Sequence, residues 1–309
     1  MAGENRDQET NAWFGERLYD HVAQHHRIEE VLYRVRTGLQ DLIIFRSHRF
    51  GRVLALDGVI QVTEGDEFVY HEMLSHTPIL AHAAMGGTAR RVLIVGGGDG
   101  GALRRVLMHR SVERATLVEI DRGVVDLCTR YMPTIADGAF DDARTDLVIA
   151  DGARFVAETD QRFEVIIIDS TDPIGPGAVL FTQSFYADCR RCLAPGGILV
   201  TQSGVPFLQP DEVTHSFQRL GAVFPDVAFY GAAVPTYFGG LMTLGWASDE
   251  PDARRLTADA LRSHFDAAGI ATEYYTPEVH AAAFCLPAFV QRLMCPSGAF
   301  APRPPNWGA

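Results

Sequence analysis

Two aspartates three positions apart, Asp169 and Asp172, stand in the run Asp169-Ser170-Thr171-Asp172-Pro173-Ile174-Gly175-Pro176-Gly177, directly after the apolar stretch Val165–Ile168. Carboxylates placed there can receive cationic groups or accept a proton. The Gly/Pro-rich stretch behind them has the composition of a loop that covers a ligand. The competing role is a capped turn with solvated acids, which the strand-end position of Asp169 disfavours. A third acid, Asp99, sits inside Gly96-Gly97-Gly98-Asp99-Gly100-Gly101, where Gly96, Gly98 and Gly101 satisfy G-x-G-x-x-G between an apolar run and a helical pattern. Glu119 ends the next apolar run, where an acid can hold ribose hydroxyls, so the set points to a nucleoside. Asp99 narrows the kind. A dinucleotide would set its pyrophosphate against this loop and the helix N-terminus, where positive potential is needed, and a carboxylate opposes that. A sulfonium nucleoside, which brings positive charge, suits Asp99 better. Capping the helix start is a nearly equal alternative for Asp99. The same holds for Asp151, which with Gly152 ends a third apolar run and could accept from an adenine amino group.

These residues need a scaffold that brings strand ends together. From Arg91 onward apolar runs and helical patterns alternate: Val92–Val95, a helix from Gly101, Thr116–Ile120, a helix near Val124–Tyr131, Leu147–Ala150, Val165–Asp169, a helix over 182–193, and Ile198–Gln202. Near-continuous apolar strands separated by helices predict a doubly wound α/β fold with a mostly parallel sheet covered on both faces. Val227–Tyr230 and Leu241–Ala247 supply two last strands. Ahead of this, residues 31–63 form short β-rich runs broken by Thr-Gly, Phe-Gly and Asp57-Gly58, the last a hairpin signal. They predict a small antiparallel N-terminal β domain over 1–75, before a catalytic domain over 76–309. Helical spacing over Glu67–Ala84 lies between them.

Composition excludes several classes. The 309 residues carry 27 Lys and Arg against 39 Asp and Glu, a net charge of -12, which argues against nucleic acid as a partner. Five cysteines, Cys128, Cys189, Cys192, Cys285 and Cys295, make an odd count in a chain too large to need disulfides. Cys189-x-x-Cys192 has no second pair to complete a zinc site. His71-Glu72 and His76 imitate a metalloprotease motif, but a spacing of five turns the two histidines about 140° apart on a helix, so no metal is expected. His21, His25 and His26 are expected at the surface. No apolar run is long enough to cross a membrane, and the polar N-terminus lacks a signal-peptide core, so the expected location is cytoplasmic.

With these features set out, the chain closely resembles bacterial spermidine synthases, of the polyamine aminopropyltransferase family. The matching segments are QDLIIF (Gln40–Phe45), FGRVLALDGVIQVTEGDEFVYHEM (Phe50–Met73), VLIVGGGDGG (Val92–Gly101), VEID (Val118–Asp121), Asp151-Gly152, DSTDPIGPG (Asp169–Gly177) and VPTYFGG (Val234–Gly240). The resemblance implies a Rossmann-like methyltransferase fold behind the small β domain, in a homodimer or homotetramer. It implies decarboxylated S-adenosylmethionine as co-substrate, putrescine as acceptor, and no prosthetic group. Gln40, Glu119, Asp151, Gly152 and Pro176 would contact the adenosyl part beside the Gly96 and Gly98 loop, and Asp99 the aminopropyl ammonium. Tyr70, His71, Asp169, Asp172 and Tyr237 would face the amine, with Asp169 the proton acceptor and Trp13 and Glu16 as further candidates. Arg105 departs from the pattern, since related sequences commonly carry an acid after an arginine there, which puts the local packing in question. Rival readings are a methyltransferase on the same fold, an NAD-dependent dehydrogenase, and a polyamine-binding protein without catalysis. Asp99 and the Asp169–Pro173 run weigh against the first, Asp99 against the second, and Asp169 against the third.

Overall fold

The structure, a computed structural model, describes residues 12–16, 18–173 and 175–294, apart from the side chain of Pro176. Cys295 and Ile174 lie outside the described residues. Strands β1 (Trp13–Glu16), β2 (Gln24–Arg36), β3 (Asp41–Ser47), β4 (Gly51–Leu56) and β5 (Val59–Thr63) pair antiparallel with their sequence neighbours in one sheet. Asp57 and Gly58 have φ of 48° and 84°, the two positive values that a tight hairpin turn needs to match strand twist. They set Leu56 opposite Val59. One face of this sheet carries Leu42, Ile44, Leu54, Leu56 and Val62 into a core shared with Val124, Cys128, Met132 and Ile135. Its histidines are less uniform than expected. His26 is buried, with its ring 5.4 Å from that of Phe50, instead of lying at the surface with its neighbours.

The second unit runs α1 (Glu67–Ala84), β6 (Arg91–Gly96), α2 (Gly101–Leu107), β7 (Arg114–Glu119), α3 (Arg122–Tyr131), α4 (Pro133–Ala136), β8 (Thr145–Ile149), α5 (Gly152–Glu158) and β9 (Phe163–Asp169). It continues through α6 (Gln183–Cys192), β10 (Leu193–Gln202), α7 (Pro210–Gly221), β11 (Asp226–Ala232), β12 (Met242–Ser248), α8 (Ala258–Ala268), α9 (Pro277–Ala283) and α10 (Ala288–Leu293). The strands lie in the order β11-β12-β10-β9-β6-β7-β8. Alternate residues of β6 feed opposite faces: Val92 and Ile94 join a core that includes Met73, Leu103 and Trp246, whereas Leu93 and Val95 join one that includes Phe185, Tyr186 and Cys189. That two-sided burial explains the near-continuous apolar runs. The pairs from β8 through β10 are parallel, but β12 runs antiparallel to both β10 and β11. Only residues 233–241 join β11 to β12, too few for the crossover that a parallel partner requires.

Residue 75, the expected domain boundary, falls inside α1, which is buried along most of its length from Glu67 to His82. We propose to draw the division at residues 64–66, the turn between β5 and α1.

Candidate active site

The chain runs from β6 outward through β7 and β8 and then returns to β9 on the other side of β6, so the two middle strands diverge in their connections. Such a point opens a crevice beyond the carboxyl ends of the strands. Gly96 and Asp169 are register partners at that edge, and the Gly97 N–H donates to the Asp169 carbonyl at 2.9 Å. Gly96 has φ of 83°, and a Cβ there would run into the Asp169 backbone carbonyl. Gly96→Ala is therefore expected to lose at least about 2 kcal/mol, since the left-handed conformation alone costs about 1–2. It should also lower activity in the protein that still folds, because Asp169 must move. A wild-type melting temperature would contradict this.

Above the strand ends lies a cavity of about 240 Å³. Gln40, Gly96, Gly98, Asp99, Glu119, Asp151 and Gly152 all line it, as do Tyr70, His71, Asp169 and Tyr237. Eleven of the expected residues thus meet around one space. Glu119 accepts from the Asp121 N–H at 2.8 Å and from the Gly98 N–H, and burial pushes its carboxyl up to about 7. Gln40 is steadied by donating to Asp121 at 3.0 Å. Asp151 caps α5 by accepting from the Ala153 and Arg154 N–H groups through Oδ1, so the capping role and a place at the cavity coexist. Asp99 likewise accepts from the Gly101 N–H at 2.7 Å through Oδ1 while facing the cavity. Leu54 and Leu56, from the N-terminal sheet, add an apolar wall to the same cavity as Val95 and Val118. Sequence reading missed that wall, because its residues read as ordinary strand core. The segment Gly175–Phe181 winds as a short 3-10 helix, and its Gly177, Val179 and Leu180 line the cavity; the side chain of Pro176 lies outside the described residues.

A second, smaller chamber of about 60 Å³ shares Gln61, Tyr70, Ser170, Thr171 and Tyr237 with the first. Asp172 lies here, with Glu16, Tyr19, Gln202 and Gln209, and no Lys, Arg or His is among its described lining residues. Burial raises the carboxyls of Glu16 and Asp172. Glu212 behind them is pushed up to about 8, by burial and then by the Asp172 charge. No side chain among its described lining residues thus offsets the charge of these acids. Glu16 belongs to it, but Trp13 does not: it is 58% exposed and lines a surface groove.

Asp169 lines the larger chamber, next in sequence to Ser170 and Thr171, which both chambers share. Its Oδ1 accepts from the Tyr70 hydroxyl at 2.9 Å, and its buried Oδ2 has no hydrogen-bond partner. Burial, reinforced by the Asp99 charge, pushes this carboxyl up to about 6, while His71 and Tyr70 pull it back. Tyr237, edge-on to Tyr70 with ring centroids 5.6 Å apart, is fixed by donating to the Gln61 carbonyl at 2.6 Å. His71 Nδ1 is 2.7 Å from Glu67 Oε2, and its Nε2 is 3.6 Å from Asp99 Oδ1. Burial disfavours the imidazolium, but Asp99 and Glu67 outweigh it and raise His71 to about 9. The Glu67–His71 pair was legible in principle as an i, i+4 spacing. His76 faces His109 instead, with nitrogens 2.9 Å apart. Among the described residues, no group of three or more His, Cys, Asp or Glu is placed to hold a metal ion.

Residues 67–257 match the model of the spermine/spermidine synthase domain, and residues 12–64 that of the spermidine synthase tetramerisation domain. The chain belongs to the polyamine aminopropyltransferase (spermidine synthase) family. The relatives are similar over almost all of it. Polyamine aminopropyltransferase 1 of Pseudomonas aeruginosa is 57% identical over 90% of this chain and 96% of its own. The polyamine aminopropyltransferase of Ruegeria sp. is 56% identical over 91% and 98%. Among solved structures, a spermidine synthase in complex with the transition-state analogue AdoDATO aligns with a TM-score of 0.86 at 37% identity, covering 92% of this chain and 95% of that one. Spermidine synthase from Thermotoga maritima aligns at 0.83 and 35%, covering 92% and 94%. The aminopropyltransferase is thus a transferase of polyamine biosynthesis, on an α/β fold with a small antiparallel N-terminal domain. Among its described residues no helix is long and apolar enough to cross a membrane.

Proposed function

We propose that this aminopropyltransferase is a spermidine synthase, moving the aminopropyl group of decarboxylated S-adenosylmethionine to putrescine and releasing 5′-methylthioadenosine. One observation carries the reading: Asp169, with an unpartnered carboxylate oxygen, lines a nucleoside-sized cavity and is followed directly by Ser170 and Thr171, which this cavity shares with a chamber lined by acids. The adenosyl part would lie between the Leu54 and Leu56 wall and the strand ends, its ribose on Glu119 and its adenine towards Asp151 and Gly152. Gln40 would steady that end. Asp99 would meet the cofactor's ammonium, and Asp172 with Glu16 the far ammonium of the diamine.

The acceptor nitrogen attacks the propyl carbon beside the sulfonium. The N–C bond forms as the C–S bond breaks, its electrons neutralise the sulfur, and the nitrogen's proton passes to Asp169. The sulfonium is an activated leaving group. The difficulty is the nucleophile, because an amine with a pKa near ~10.4 costs roughly 4–5 kcal/mol to deprotonate at pH 7. Anions close to the nitrogen make this worse by favouring the ammonium. The two chambers differ in the needed direction: at the reacting end the His71 imidazolium opposes Asp99 and Asp169, whereas no described lining residue opposes the acids of the far chamber. A diamine would leave its charged end far from the sulfonium and bring its neutral end to Asp169. Tyr70 and Tyr237, which line both chambers, would flank the methylene chain.

We further place the protein in the cytoplasm as a homodimer or homotetramer without nucleic-acid partners, supported by the net charge of -12 and the tetramerisation-domain match over residues 12–64. The decisive test is incubation with putrescine and either decarboxylated or intact S-adenosylmethionine, with products followed by mass spectrometry. Spermidine and methylthioadenosine from the decarboxylated cofactor alone are expected. Their absence with folded protein would overturn the reading.

A further inference from the structure

Arg105, one departure from the pattern that the resemblance implies, is 4% exposed, and its buried Nε has no partner. Its guanidinium donates to Glu67 Oε1 at 2.8 Å and lies 3.5 Å from Glu72 Oε1. Glu72, fully buried, accepts from the Glu273, Tyr274 and Tyr275 N–H groups. Glu67 reaches His71 with its other oxygen, and His71 in turn faces Asp99. Charges therefore alternate along a buried line from Glu72 through Arg105, Glu67 and His71 to Asp99 at the cavity wall.

We propose that Arg105 is a positioning residue for aminopropyl transfer: by holding Glu67 as a carboxylate it keeps a proton on His71, and so sets the charge that Asp99 and Asp169 meet. The inference rests on the roles proposed above for these two aspartates. A Glu–His pair sharing one proton has two forms, carboxylate with imidazolium or carboxylic acid with neutral imidazole. Burial favours the neutral form, because separated charges lose their hydration. A cation nearer to the carboxylate than to the ring tips the balance to the ionic form, and Arg105 bonds Glu67 directly. Arg104 adds less, at 3.8 Å from Glu67 and 31% exposed. The other charged or titratable groups facing His71 are Asp99 from the glycine loop, Asp169 from β9 and Tyr70 from its own helix, with Tyr237 behind Tyr70. With a neutral residue at 105 the proton passes from His71 to Glu67. Asp169 then loses an opposing charge and holds its proton more tightly.

The test compares full-length wild-type protein with Arg105→Lys and Arg105→Gln, reading the His71 ring nitrogens by 15N NMR at pH 7 and kcat/KM against pH. An imidazolium is expected in wild type and Arg105→Lys and a neutral ring in Arg105→Gln. The acid limb of Arg105→Gln should rise by about half to one pH unit. A neutral His71 in wild type, or an imidazolium with an unmoved limb in Arg105→Gln, overturns the proposal. Should Arg105→Gln not fold, Arg105→Met, which also removes the charge on an unbranched chain, is read in the same two ways. The ring spectrum is read without turnover, so a protein that made no methylthioadenosine would overturn the functional reading and leave the charge line to be judged separately.

Discussion

Asp169→Asn is expected to lower kcat by roughly 10²–10⁴-fold, the usual worth of a positioned general base, while the cofactor dissociation constant changes by no more than about threefold. The amide keeps the shape, and its oxygen can still accept from Tyr70, which bonds Oδ1 at 2.9 Å. What disappears is the second carboxylate oxygen, which has no partner of its own and on which the proposed proton transfer depends. The acid limb of kcat/KM, expected near pH 6 where burial and Asp99 place the Asp169 carboxyl, should vanish with it. Stability should move the other way. A carboxyl whose folded pKa of about 6 exceeds its ordinary 3.8 holds its proton more tightly when folded, so its ionisation destabilises the protein as pH rises from about 4, fully so above about 6. Asn removes that cost. The variant should melt a few degrees higher at pH 8 and level with wild type at pH 4. Equal losses of turnover and cofactor binding, or a lower melting temperature at pH 8, would remove Asp169 from the role of base.

The two chambers show what the sequence could and could not disclose. The glycine loop, Glu119, Asp151 and the Asp169–Asp172 run were legible because each is local: a strand ends, a turn needs glycine, and an acid follows. The fold was legible for the same reason, down to the Asp57-Gly58 turn and the full span of α1. Residues whose importance depends on distant partners were not. Leu54 and Leu56 alternate like any half-buried strand, and only the docking of the N-terminal sheet makes them a wall of the cavity. Glu212 reads as the acidic first turn of α7, yet it is half-buried and close enough to Asp172 for their charges to interact. Arg105 looked like a packing problem, and its partners Glu67 and Glu72 sit in another helix 38 and 33 positions away. The reversed β12 was hidden because strand direction follows from the connection that precedes it, not from the strand's own residues.

Asp99→Asn is expected to shift the choice of cofactor, lowering affinity for decarboxylated S-adenosylmethionine and raising it for the intact nucleoside. The two ligands differ by one carboxylate near the end of the chain that carries the ammonium. Asp99 would attract the ammonium of the first and repel the carboxylate of the second. Two unit charges 4 Å apart interact by about 4 kcal/mol at an effective dielectric constant of 20. Part of this is cancelled here, because His71 Nε2 lies 3.6 Å from Asp99 Oδ1. A change of 1.4–2.8 kcal/mol, or about 10- to 100-fold in the ratio of the two dissociation constants, is the size to expect. Asn suits the test because its oxygen can keep the bond from the Gly101 N–H that holds the loop, at 2.7 Å in the native chain. The change is thus in charge, with the fold of the glycine loop retained. Titration calorimetry with each nucleoside reads the ratio directly. An unchanged ratio would mean that discrimination lies elsewhere, and that Asp99 serves chiefly to start α2.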